Sequence, residues 1–157
     1  MLGYFRNARM INSALRRLNP GFDARFIEIR PDDPTFVFDA EARVAAGEML
    51  GTMGDRVGFD GKSVSAPFLG DAARFPTGPY LLAAALRCPV YLAFGLYREP
   101  NRYELSCEPF AERIELPREG RDQALAAYAR RYAARLEARC RSAPDNWFNF
   151  HDFWSAT

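Results

Sequence analysis

The sequence predicts an α/β fold on three grounds. Along the chain, the spacing of apolar residues changes between the helical and the strand period, which is typical of an α/β domain. Hydrophobic residues make up 48% of the chain and aromatic residues 14%, which argues against a disordered protein. With 157 residues, the chain is long enough to bury one core. We therefore expect a single α/β domain over residues 1–157.

The first third of the chain is expected to form a helix, a strand and a second helix. The pattern predicts a helix over residues 8–18 and a strand over residues 25–30. The second helix is expected to be capped by Asp33, to hold Pro34 in its first turn and to end at Gly47. Its predicted buried stripe comprises Phe36, Val37, Ala40 and Val44.

Strands dominate the prediction for the middle of the chain. Residues 48–54 are expected to form a short strand, and residues 63–70 a second one after a turn. An apolar helix is predicted over residues 77–86. Residues 88–97 are continuously apolar, which favours a strand in the centre of a sheet with both faces covered.

The remaining elements are a returning strand and a long helix. Residues 102–110 are expected to pair with the strand before them across a turn, and a helix is predicted over residues 121–141. The buried stripe of that helix comprises Leu125, Tyr128, Tyr132, Leu136 and Cys140.

Charge and composition limit the classes of partner. The net charge of +1 gives no electrostatic reason to expect nucleic acid. No apolar run is long enough to span a membrane, and no signal peptide is evident, so we expect a cytoplasmic protein. Cys88, Cys107 and Cys140 fit neither a metal motif nor a disulfide framework. We expect them to be buried free thiols, and we expect no metal or cofactor.

Two Gly-rich turns hold the candidate binding residues. Arg56 follows a predicted strand, and its guanidinium could hold a phosphate or carboxylate while Asp55 orients it. A structural ion pair with Asp55 or Asp60 is the alternative. Thr77 and Gly78 begin a predicted helix, whose N–H groups favour an anion, although ordinary capping is the more common role of such residues.

No catalytic residue can be assigned from the sequence. His151 is the only histidine and precedes Asp152, but neighbouring side chains normally point apart. The chain also lacks the GxSxG motif of a serine hydrolase.

Four short motifs resemble one known family. They are GDR at residues 54–56, APFLG at 66–70, FPTGP at 75–79 and the ending PDNWFNFHDFW at 144–154. Their order and spacing resemble the lysophospholipid acyltransferase superfamily, in the branch of late lipid A acyltransferases. The resemblance covers residues 47–154. It implies a three-layer mixed sheet flanked by helices, as in the C-terminal portion of the glycerol-3-phosphate/lysophospholipid acyltransferase fold.

The resemblance also implies an activity and its partners. Members transfer an acyl group from acyl carrier protein or acyl-CoA to a lipid or glycolipid acceptor, and the position of Arg56 implies a contact with the acceptor. Arg131, Arg135 and Arg139 share one face of the last helix and could dock an acidic acyl carrier. A solvated helix face and a contact with anionic lipid are the alternatives.

Two departures from the family pattern shape the expected function. The HxxxxD motif that supplies the family's catalytic base is absent, and Thr77 stands where glutamate is common. We therefore expect the C-terminal part of such an enzyme, inactive alone, at the cytoplasmic face of the inner membrane. A noncatalytic binding module or remnant that holds an acyl carrier or an anionic ligand is the alternative. Apolar surface at residues 77–97 is expected to be exposed and to cause self-association.

Overall fold

The computed structural model describes residues 2–3, 27–29, 33–56, 61–149 and 153–154. Two compact units are distinguished, Met1–Met53 and Gly54–Thr157. Helices and strands occur in both, so the predicted α/β class is confirmed. No helix in the described part of the chain is both long and apolar enough to cross a membrane. The helix predicted over residues 8–18 and His151 lie outside the described residues.

The first unit contains a short parallel strand pair. β1 (Leu2–Gly3) pairs with β2 (Ile27–Glu28), which lies inside the strand predicted over residues 25–30. The strand predicted over residues 48–54 is wrong, because these residues adopt no regular structure. Met49 is 97% exposed and Met53 is 48% exposed, so this segment buries too little apolar surface to offset the ordering of a strand.

The helix of the first unit begins later than predicted. α1 spans Phe36–Ala45 with Thr35 at its N-cap position. The Asp33 carboxylate accepts hydrogen bonds from the Thr35 N–H at 3.0 Å and the Thr35 hydroxyl at 2.6 Å. Asp33 therefore caps the turn at residues 34–35 that leads into the helix, with Pro34 between the two partners as predicted. Gly47 ends the helix as predicted, in a left-handed conformation with φ +82°.

The second unit begins with a tight hairpin. β3 (Ser63–Phe68) pairs antiparallel with β4 (Asp71–Pro76), and only Leu69 and Gly70, both with positive φ, connect them. Positive φ at both loop positions matches the twist of the flanking strands. β4 was not predicted from the sequence. The signals for it were the glycine in a two-residue loop and the alternation of exposed Arg74 with buried neighbours.

A longer hairpin follows the helix α2 (Gly78–Leu86). β5 (Val90–Arg98) pairs antiparallel with β6 (Arg102–Ala111), which confirms the predicted pairing. The prediction that both faces of β5 are covered is wrong. Burial alternates along the strand, and Tyr91 is 61% exposed. Among the described residues, β5 pairs only with β6. The alternating burial shows that one face of this hairpin is exposed and has no described element packed upon it.

The last helix organises the core of the second unit. α3 (Arg121–Ser142) packs mainly against β3, and a 3-10 turn (Pro144–Asn146) follows it. The predicted stripe is confirmed in outline, with Leu125, Leu136 and Cys140 buried and the two tyrosines half-buried. Ala129 and Ala133 complete the contact, because small side chains let the helix approach the strands closely.

Candidate functional site

The Gly54–Arg56 turn lies directly against α3. A Cβ atom on Gly54 would fall 2.7 Å from Cζ and 2.9 Å from the hydroxyl oxygen of Tyr132. Such distances are too short for any side chain, so glycine permits this close approach of the backbone to the phenol ring. The turn is therefore fixed in place by the helix that it touches.

Asp55 does not pair with Arg56. Its Oδ2 accepts a hydrogen bond of 3.1 Å from the indole Nε1–H of Trp147, although the two residues are 92 positions apart. Arg56 is exposed and forms no ion pair or hydrogen bond with any described residue. Asp60, the other predicted partner, lies outside the described residues. Within the described part of the chain, the Arg56 guanidinium is therefore exposed and has no charged or hydrogen-bonding partner.

Tyr132 connects this turn with the end of β4. Its ring contacts Phe75 edge-on, with the ring centroids 5.8 Å apart. Burial, and secondarily the negative charge of Asp55, raises the pKa of the Tyr132 phenol far above its ordinary value. The phenol therefore stays neutral. Sequence reasoning placed Tyr132 only in a buried stripe, since nothing local indicates that it meets Gly54.

Thr77 is a structural anchor in this geometry. It is buried, and its N–H and its hydroxyl both donate to the Lys62 carbonyl, at 2.9 Å and 3.0 Å. Its side chain makes no capping hydrogen bond to α2. Gly78 is exposed at the helix start, but Pro79 follows it and has no N–H to offer an anion. Anion binding by Thr77 and Gly78 stays a prediction, with the N–H of Gly78 as its accessible donor.

An aromatic cluster holds Trp147 in position. The indole meets Phe68 and Phe153, each with a centroid distance of 5.1 Å, and Trp154 at 6.1 Å. Trp154 also donates its indole N–H to the Phe68 carbonyl at 3.4 Å. These contacts join the end of the chain to β3. The sequence indicated that this ending packs or docks, but not which residues it meets.

The predicted arginine stripe contacts β6 through one carboxylate. Arg139 and Arg135 approach the two oxygens of Glu108 at 3.2 Å and 3.6 Å. Arg131 donates to the Phe110 carbonyl at 2.5 Å, and its guanidinium lies 4.7 Å from the centroid of the Phe110 ring. The structure therefore brings all three arginines to the long hairpin. Arg131 and Arg135 remain exposed, and of the two that approach Glu108 the Arg135 side chain is 65% exposed and the Arg139 side chain 33%.

A shallow surface groove lies on the opposite face of α3 from Tyr132. Glu137 crosses it, accepting a 2.8 Å hydrogen bond from the Leu69 N–H and two more from Arg141. The lining residues are Pro67, Arg130, Ala134, Glu137, Ala138 and Arg141. None of the predicted substrate-binding residues lies there, so the groove is separate from the Arg56 turn.

The cysteines do not form a site. Cys140 is buried as predicted and Cys88 is half-buried, but Cys107 is exposed, so the expectation of a buried thiol there is wrong. Cys107 lies on β6, on the uncovered face of the long hairpin. Within the described part of the chain, no group of three or more His, Cys, Asp or Glu side chains could hold a metal ion.

Comparison with protein families identifies the family of this chain. The family model of bacterial lipid A biosynthesis acyltransferases matches residues 7–156. No curated protein shows a significant match to the chain. The match includes all four motifs noted in the sequence and extends the likeness to residues well before position 47.

Proposed function

Because the chain belongs to the bacterial lipid A biosynthesis acyltransferase family, we propose that it binds the acceptor in an acyl transfer to a lipid or glycolipid. The observation that carries this proposal is the guanidinium of Arg56, which is exposed and pairs with none of the described residues, beside two anchored residues. A planar fork of N–H donors suits a phosphate or carboxylate on a polar headgroup. The acyl donor in this proposal is acyl carrier protein or acyl-CoA.

The chemistry requires a base that the described residues do not supply. In the transfer, an acceptor hydroxyl attacks the thioester carbonyl, a C–O bond forms and the C–S bond breaks. The hydroxyl proton must be removed, and the thiolate that leaves must be protonated. The sequence has one histidine and no HxxxxD motif. We propose that the base comes from outside these 157 residues and that the chain alone binds without turnover.

Carrier docking is proposed at Arg135, with Arg131 and Arg139 behind it. Of the two arginines that share Glu108, Arg135 is the more exposed. Because an exposed ion pair at 3.6 Å contributes little stability, an acidic carrier could replace Glu108 as the partner of Arg135 with little loss of free energy. The other two side chains are committed to contacts within the chain. Arg131 and Arg139 would therefore attract the carrier through their positive charge and would not contact it directly.

Location and assembly complete the proposal. We place the protein at the cytoplasmic face of the inner membrane, where a peripheral contact would bring the acceptor to Arg56. The three-layer mixed sheet of the family fold is proposed for the complete enzyme. We also propose weak self-association through the uncovered face of the long hairpin. The family match favours an acyltransferase-like role over the alternative of a noncatalytic binding module or remnant that holds an acyl carrier or an anionic ligand.

Binding of two separate probes tests the proposal. Short-chain phosphatidic acid serves as the acceptor probe, and acyl carrier protein as the donor probe. Arg56→Ala should weaken phosphatidic acid binding about tenfold to a hundredfold, the usual cost of losing a charge-assisted hydrogen bond. Arg56→Lys should restore little of it, because a point charge cannot replace the planar fork. Arg135→Ala should weaken only the carrier.

Two outcomes would contradict the proposal. If Arg56→Ala leaves phosphatidic acid affinity unchanged but lowers the melting temperature, Arg56 is a structural residue. If the chain alone transfers a radiolabelled acyl group to extracted lipid, and His151→Ala retains that activity, then the family's base is not required.

A further inference from the structure

We infer that Asp55 and Trp147 are positioning residues for Arg56, so that the C-terminal aromatic segment completes the anion-binding turn. The inference rests on the proposed function, since it concerns how Arg56 is presented to its ligand. It assigns Asp55 to the indole of Trp147 instead of to direct contact with the substrate.

The first step concerns the two residues before Arg56. Gly54 is pressed against the Tyr132 ring, and the Asp55 carboxylate is held by Trp147. The steric contact at Gly54 and the hydrogen bond at Asp55 together fix the backbone just before Arg56, and so fix where its side chain begins. A positioned guanidinium loses less conformational freedom on binding than one on a mobile loop.

Trp147 is itself positioned by contacts on several sides. Phe68 and Phe153 meet its ring edge-on at 5.1 Å. The preceding residue, Asn146, accepts a hydrogen bond from the Tyr97 N–H on β5. The indole therefore connects β3, β5 and Phe153 to the turn that holds Asp55. A substitution at Trp147 should therefore alter the position of Arg56 through the hydrogen bond between Trp147 and Asp55.

Electrostatics argue for the same division of roles. A carboxylate beside Arg56 would neutralise part of its charge and oppose an anionic ligand. With Asp55 bonded to a neutral indole N–H, the turn keeps its acid without an ion pair to Arg56. The arrangement orients the turn while the guanidinium stays available.

Five variants of the full chain test this inference, with short-chain phosphatidic acid as the probe. Asp55→Ala and Trp147→Phe each remove one side of the hydrogen bond and should weaken binding about tenfold. The double variant should be no weaker than either single one, because both changes break the same contact. Asp55→Asn keeps an acceptor oxygen and should retain most of the affinity. Tyr91→Phe, an aromatic control on the exposed face of β5, should bind like wild type.

The Arg56→Ala background separates positioning from general destabilisation. There, adding Asp55→Ala should cause no further loss of affinity. If Arg56→Ala alone has no effect, the proposed function fails. If Arg56→Ala weakens binding while Asp55→Ala binds like wild type, this inference is overturned. Additive losses in the Asp55→Ala/Trp147→Phe double variant, or an equal loss in the Tyr91→Phe control, would overturn it as well. Should Trp147→Phe not fold, Asp55→Ala and Asp55→Asn decide the matter.

Discussion

The two antiparallel hairpins of the second unit differ in what covers them. The short one, β3–β4, turns its Phe68 and Phe75 fully into the core, against α3 and the C-terminal aromatics. The long one, β5–β6, packs one face toward α3 and leaves the other uncovered. That uncovered face carries Tyr91, Ala93, Gly95, Tyr97, Tyr103, Leu105, Cys107 and Pro109.

The difference separates stability from interaction. The short hairpin is tied to α3 by aromatic packing and by Glu137, and it supports the turn that holds Arg56. The uncovered face of the long hairpin consists of eight residues without a single charge. An exposed uncharged face of this kind is a candidate contact surface. Substitutions in the two hairpins should therefore change different properties.

Phe68→Ala should have the largest effect on stability. The ring is completely buried and contacts Phe75 and Trp147, so its loss should cost about 3–5 kcal/mol in the free energy of unfolding. Tyr91→Ala on the uncovered face should cost less than about 1 kcal/mol. Denaturant unfolding of both variants measures the contrast. Equal losses would mean that the long hairpin is as tightly packed as the short one.

Leu105→Asp should abolish self-association and leave the fold intact. Leu105 is 81% exposed, and the face extends over nine residue pairs. At ~3.3 Å per residue and a width of ~10 Å, each copy would bury ~300 Å², well below the ~800 Å² per partner of a standard interface, so the proposed association is weak. Leu105→Met should still dimerise. Sedimentation decides: a wild-type monomer at micromolar concentration, with no dye-binding apolar surface, would contradict the proposal.

Glu137→Gln should have the smallest effect, and one that depends on pH. The Leu69 N–H, and then Arg141, lower the pKa of Glu137 below its ordinary value. A depressed pKa adds stability above the unfolded-state pKa, about 4.3, and this contribution disappears as pH falls through the folded-state pKa. The stability gap between wild type and Glu137→Gln should thus close in acid. A gap that is constant from neutral pH to pH ~3 would show that charge is not involved.

Local patterns identified most elements of the second unit. The start of α2 was predicted within one residue, and the stripe of α3 and the pairing of β5 with β6 were confirmed. These features depend on periodicity and turn residues close together in the chain. β4 escaped prediction because its run, DAARFP, is short and mixes small, charged and aromatic residues. Only its pairing with β3 makes it a strand.

The sequence by itself determined the family, the motif positions and the absence of the HxxxxD base. Tertiary structure alone decided which partner each site residue meets. Asp55 stands beside Arg56 in the chain, yet its carboxylate binds Trp147, and Gly54 is required by Tyr132 rather than by its own turn. Adjacent residues share a backbone but usually point apart, whereas packing brings distant residues together. For that reason composition and spacing could locate the turn, and only the fold could show what holds it.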